Sequence, residues 1–263
     1  MSLRLAAAFA AALLAAACQT PASTGPVLAA PMTTDPPLLR TVLPEGDGVH
    51  TAVLLVPACD APLASSRAAL YPRYAEQLKA EGYAVGIVGW PGSGVGDPAC
   101  NAIDPARVVA AISSAASAMQ AQPGVDPRRL HIVGWGHGGR GVLELIQLKK
   151  RLPGLVSAVV VTPDCPEPDT WASEVTLLMA LAEHDATNPP AACRAWADRS
   201  EGPGPVVITR YTGVQHGFDV NEAADPAFAA YRTGTPLTFD ASTAWQFWLD
   251  LRKFLALKID AGV

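Results

Sequence analysis

The chain reads as an α/β protein, a three-layer α/β/α sandwich on a mostly parallel sheet, and three observations predict this. Short apolar runs rich in β-branched residues alternate with longer helical patterns, as strands joined by crossover helices do. Several runs are apolar throughout, which suits strands buried on both faces. No internal repeat and no second core interrupts the alternation, and 263 residues at 50% hydrophobic composition suit one large core.

Taken in order, the predicted strands are LLRTVL (38–43), TAVLLVP (51–57), YAVGIVGW (83–90), LHIVGW (130–135), VSAVVVTP (156–163), TLLMALAE (176–183) and PVVITRYT (205–212). Between and after them, Arg67–Glu81, Asp104–Gln122, Gly138–Arg151, Pro189–Asp198 and Ser242–Leu257 are long enough and suitably patterned for helices. Asp104-Pro105 reads as an N-cap followed by proline at the first helical position.

The folded part is expected to span residues 38–263. Ahead of it, residues 1–18 combine a basic Arg4, an apolar run from Leu5 to Ala17 and small residues before Cys18. That is the form of a secretory signal; a spanning helix needs roughly 20 apolar residues. It resembles a bacterial lipoprotein signal, in which cleavage exposes a cysteine for lipidation, although the usual leucine three places earlier is Ala15, with Leu14 one position off. Residues 19–37, rich in Pro, Thr and Ala, read as a flexible tether reaching about 25 Å. The expectation is a periplasm-facing lipoprotein of the bacterial envelope, touching the membrane through its lipid alone. Removing residues 1–17 takes the formal charge from -5 to -6. No basic block is present, which argues against nucleic acid as a partner.

In an oxidising compartment the four cysteines besides Cys18 form an even set. Cys59 and Cys100 follow two successive strands, as do Cys165 and Cys193. The pairs Cys59–Cys100 and Cys165–Cys193 are expected, the alternative being four buried thiols. The histidines at 50, 131, 137, 184 and 216 show no metal-ligand spacing, and no metal or cofactor is expected.

In sheets of this kind the site forms beyond the carboxyl ends of the strands. The fourth strand runs into Gly134-Trp135-Gly136-His137-Gly138, a G-x-S-x-G nucleophile elbow with glycine where serine belongs. Asp185 follows the sixth strand and His216 the seventh, so the chain order is elbow, acid, histidine. Each has a plainer reading: Gly136 relieving a strained turn, Asp185 capping a helix before Pro189, and His216 as a loop histidine.

VGWGHGG, LAEHDATNPPAAC and HGFD together resemble the dienelactone hydrolase family over nearly all of Leu38–Leu257. The resemblance implies an α/β-hydrolase fold and ester or lactone hydrolysis. It makes Asp185 the orienting acid and His216 the general base, with oxyanion-hole amides at Cys59 and His137. That family carries Cys or Ser where this chain has Gly136, so the acyl-enzyme route is closed at this position. Ser93, Cys59 and a water activated by His216 are the remaining candidates to attack.

Three functions follow. The first is an envelope dienelactone hydrolase-type protein with weakened or lost turnover. The second is a non-catalytic module that binds a small ester, lactone or carboxylate in the same pocket. The third is nucleotide binding through Gly134, Gly136 and Gly139, a G-x-G-x-x-G run. Against the third, the nearest acid near a strand end is Asp164, 25 residues after Gly139, and three strands precede the motif.

Overall fold

A computed structural model describes residues 39–58, 70–90, 102–149, 151–167, 169–221 and 238–260, all within the unit Asp35–Val263. Cys18, Cys59, Ser93 and Cys100 lie outside the described residues, and with them the expected Cys59–Cys100 pair.

Seven strands form one sheet in the order β1-β3-β2-β4-β5-β6-β7. They are β1 (Leu39–Val42), β2 (His50–Val56), β3 (Ala84–Val88), β4 (Val125–Trp135), β5 (Leu155–Val161), β6 (Thr176–Ala182) and β7 (Val206–Tyr211). β1 pairs antiparallel with β3, and every other pairing is parallel. The helices are α1 (Leu70–Ala80), α2 (Pro105–Gln120), α3 (Gly136–Ile146), α4 (Pro190–Ala197) and α5 (Ala241–Asp260).

The uninterrupted apolar runs are explained by a core on each side of the sheet. Ala52, Leu54 and Val56 of β2 point into one, which α2, α3 and Trp196 of α4 cover. Val53 and Leu55 point into the other, under α1 and α5. Because successive strand residues face opposite sides, a strand between two helical layers needs apolar side chains at every position. Asp104 caps α2 as its sequence indicates: its Oδ1 accepts the Ala106 N–H at 2.9 Å, and Pro105 opens the helix.

The largest departures from the sequence reading are at β4 and α3. β4 begins at Val125, five residues before the expected Leu130. Pro127 lacks an N–H and reads as a break, but a register shift between His50 and Ala52 of the neighbouring β2 accommodates the added length. Helix α3 runs Gly136–Ile146 where Gly138–Arg151 was expected. It starts directly on the last strand residue, and the N–H groups of Gln147 and Leu148 turn back to the carbonyls of Glu144 and Leu145, closing the helix before Pro153.

Candidate active site

The turn from β4 into α3 is sharp because glycines let backbones meet. A Cβ on Gly138 would strike the Pro57 carbonyl oxygen at the end of β2, so only glycine fits. Gly134 and Gly139 pack against each other, a Cβ on the former lying 2.9 Å from the Cα of the latter. Gly136, the first residue of α3, has φ +47°, the left-handed conformation that L side chains enter at a cost. The nearest described atom to a Cβ placed there is Ala58 Cβ, at 3.1 Å. The elbow thus faces the loop leaving β2.

That loop is tied on both sides. The Pro57 carbonyl accepts Trp90 Nε1 at 3.1 Å, and the Ala58 N–H donates to the Tyr71 hydroxyl at 3.0 Å. His137 is the second residue of α3, where an N–H has no intrahelical acceptor. Its ring turns away: Nε2 donates to the Ile103 carbonyl at 2.9 Å, and the imidazole packs on Trp90 at 5.7 Å. Burial lowers the His137 pKa and keeps that ring neutral. His137 therefore offers the elbow its backbone amide and not its imidazole.

Asp185, 4% exposed, follows β6. Its Oδ1 accepts the N–H groups of Thr187 at 2.9 Å and Asn188 at 2.8 Å. Its Oδ2 meets His216 Nδ1 at 2.8 Å. A carboxylate with this arrangement accepts, so Nδ1 carries the proton and Nε2 is the basic end of the ring. Helix α4 starts later, with Pro189 at its cap position and no side-chain capping bond; the Asp185 carboxylate closes its own turn.

His216 stands on the loop after β7, which turns at Gly213 (φ +73°). Three residues on, Asp219 is 1% exposed, and its Oδ2 accepts Trp135 Nε1 at 2.8 Å and the Tyr74 hydroxyl at 3.2 Å. Burial pushes its carboxyl up, and the bonds from Trp135 and Tyr74 offset only part of that rise. Since Trp135 immediately precedes Gly136, this bond fastens the histidine loop to the elbow.

Between elbow and acid lies the loop after β5. Thr162 is the one described non-glycine residue at positive φ, +41°, and it is 4% exposed. Such a conformation costs about 1–3 kcal/mol. Its N–H reaches the Ala180 carbonyl at 2.9 Å, and its own carbonyl accepts Asn188 Nδ2 at 2.7 Å. Two residues later the Asp164 N–H donates to the Gly136 carbonyl at 3.3 Å. Cys165 is bonded to Cys193, with Cα atoms 5.1 Å apart, which ties this loop to α4. Among the described residues, no group of three or more His, Cys, Asp or Glu is placed to hold a metal.

With the elbow, acid and histidine on one edge of the sheet, comparison with known proteins becomes informative. A family model described as the dienelactone hydrolase family matches residues 96–256. The chain belongs to the dienelactone hydrolase family. No curated protein matches it. Among solved structures it is similar to a candidate dienelactone hydrolase from Klebsiella pneumoniae, at 19% identity and TM-score 0.62, over 83% of this chain and 92% of that one. A dienelactone hydrolase-like promiscuous phosphotriesterase from metagenomic libraries is 16% identical, with TM-score 0.64 over 85% and 99%. A propionate-bound esterase from Thermogutta terrifontis is 15% identical, with TM-score 0.60 over 84% and 89%. At these identities the likeness is one of fold, the α/β-hydrolase fold of the dienelactone hydrolase class.

Sequence reasoning marked Asp185, His216, His137 and Gly136, and the structure sets all four at the carboxyl edge of β4, β6 and β7. It missed Thr162, Asn188, Tyr74 and the bond between Trp135 and Asp219. Asn188 carried the only local signal, as the donor three residues after Asp185 in an Asx-type turn.

Proposed function

We propose that this dienelactone hydrolase family member is an exported envelope lipoprotein, anchored through Cys18. Its pocket takes small esters or lactones and hydrolyses them slowly by direct attack of water. One observation carries this reading: an acid–base pair, Asp185 and His216, is held at 2.8 Å beside an elbow whose residue 136 has no side chain. Ligand binding alone does not call for a carboxylate pinned at both oxygens against an imidazole. The lipoprotein-type leader and the Cys165–Cys193 disulfide support an oxidising compartment. The close packing of Gly134, Gly138 and Gly139 against protein atoms supports an elbow over a phosphate loop.

The chemistry follows from the proton positions. His216 Nε2 takes a proton from water as the water oxygen bonds to the substrate carbonyl carbon. The carbonyl oxygen gains the negative charge, which the N–H of His137 at the start of α3 stabilises. Asp185 stabilises the imidazolium that results. The intermediate then expels the alkoxide, which takes the proton back from His216, leaving a carboxylic acid and an alcohol. No acyl-enzyme forms. The propionate seen in the Thermogutta esterase supports a carboxylate product as a second ligand of such a pocket.

The test is hydrolysis of a p-nitrophenyl ester and a small lactone by the full-length protein and by His216→Ala. Slow turnover without a burst is expected, falling by about 10²-fold in the variant, as loss of a general base predicts. Saturable ester binding with turnover indifferent to His216 would establish the second reading, a binding module. A burst would reveal another nucleophile.

A further inference from the structure

We propose that Asn188 is the positioning residue that keeps the Asp185–His216 pair in register with the elbow, by fastening the acid's turn to the carbonyl of Thr162. This rests on the reading of Asp185 and His216 as acid and base. Asp185 is aimed by a turn that closes on its own Oδ1 through the N–H groups of Thr187 and Asn188. Such a turn fixes the carboxylate relative to its own loop but leaves its relation to the elbow open. Asn188 serves both needs. Its backbone N–H holds the carboxylate at 2.8 Å, and its side-chain amide donates to the Thr162 carbonyl at 2.7 Å.

The conformation of Thr162 is the second observation. It is β-branched and precedes Pro163, and both properties favour extended backbone, yet its φ is +41°. In that geometry its N–H bonds to Ala180 of β6 and its carbonyl is presented to Asn188. The chain then continues through Pro163, whose Cβ lies 3.1 Å from where a Gly139 side chain would begin. It ends at Asp164, whose N–H holds the Gly136 carbonyl. Contacts therefore run without a gap from His216 through Asp185, Asn188, Thr162 and Asp164 to Gly136. Strain in a buried non-glycine residue at a site points to function when the surroundings hold it in place. Asparagine suits position 188 because its amide donates at a length that reaches the carbonyl. Aspartate would set an acceptor against an acceptor, and alanine would leave the carbonyl without this donor.

The test follows the proton on His216 Nδ1, a downfield resonance identified by its loss in His216→Ala, in the full-length chain labelled at histidine with ¹⁵N. Exchange of this proton with solvent is measured well below the unfolding temperature, so that it reports the pair and not global stability. Asn188→Ala and Asn188→Asp are expected to speed exchange about five- to tenfold, the worth of one hydrogen bond. Unchanged exchange in both Asn188 variants overturns the proposal. Asp185→Asn separates the two levels. If it leaves the resonance and its exchange as in wild type, the acid–base pair itself is refuted whatever Asn188 does. If Asn188→Ala does not fold, Asn188→Asp carries the comparison.

Discussion

Gly136→Ser is the perturbation that asks most of the site. Two costs can be read from the structure. A left-handed conformation at φ +47° costs an L residue about 1–2 kcal/mol. The new Cβ would also meet Ala58 Cβ at 3.1 Å, so the loop after β2 must yield by a few tenths of an ångström. A total loss of about 2 kcal/mol lowers the melting temperature of a domain this size by roughly 4–8 °C, which thermal unfolding measures. Ala58→Gly in the same chain removes the contact and should return part of it. On activity, the new hydroxyl would be deprotonated by His216 with Asp185 behind it. Hydrolysis of a p-nitrophenyl ester should rise by about 10²-fold or more, the range of base-assisted attack, and a burst of p-nitrophenol should appear as the acyl-enzyme forms. Adding His216→Ala should abolish the gain. A folded serine variant no faster than wild type, or one whose gain survives His216→Ala, would refute the placement of Gly136 at the nucleophile position.

Three further outcomes are expected. Burial, and then the charge of Arg129, hold His131 down to about 4 from an ordinary 6.5, its Nδ1 bonded to Ser157 at 2.7 Å. The unfolded chain takes up this proton first, so stability is whole above pH 6.5 and is lost as pH falls towards 4, by up to about 3 kcal/mol. Urea midpoints at pH 7.5 and 4.5 should show the loss and His131→Gln should flatten it; equal slopes would remove His131 as the cause. The Cys165–Cys193 bridge closes a loop with a sequence separation of 28, so Cys193→Ala should destabilise by about 3.5 kcal/mol from chain entropy, read by denaturant unfolding; an unchanged midpoint would mean that the cross-link adds nothing. Cys18→Ser should move the protein from the membrane fraction to the soluble periplasmic one, and a variant that stays membrane-bound would point to a different anchor.

Much of the fold was legible because it rests on local spacing. Runs such as TAVLLVP and VSAVVVTP are apolar at every position, and only burial on both faces accounts for that. The order of elbow, acid and histidine was legible too, because each stands directly after a strand and the strands deliver them to one edge. The absence of a side chain at Gly136 is a fact of sequence alone. The early start of β4, through Pro127, was not legible, because a proline breaks a strand only where the ladder needs its N–H, and that need is set by the neighbouring strand.

What only the tertiary structure decided is how these residues are held. The Asn188 side chain finds Thr162 across 26 residues, Trp135 finds Asp219 across 84, and Tyr74 finds the same carboxylate across 145. No spacing rule links such positions, since they meet through the order of strands in the sheet and the crossing of helices over it. The same holds for His137, whose neighbours in sequence say nothing of the Ile103 carbonyl that turns its ring away. Sequence determines which groups stand at the strand ends, because alternation and turns are written in adjacent residues. Packing determines where those groups point, because a side chain's direction is set by partners that only the folded chain brings within hydrogen-bond reach.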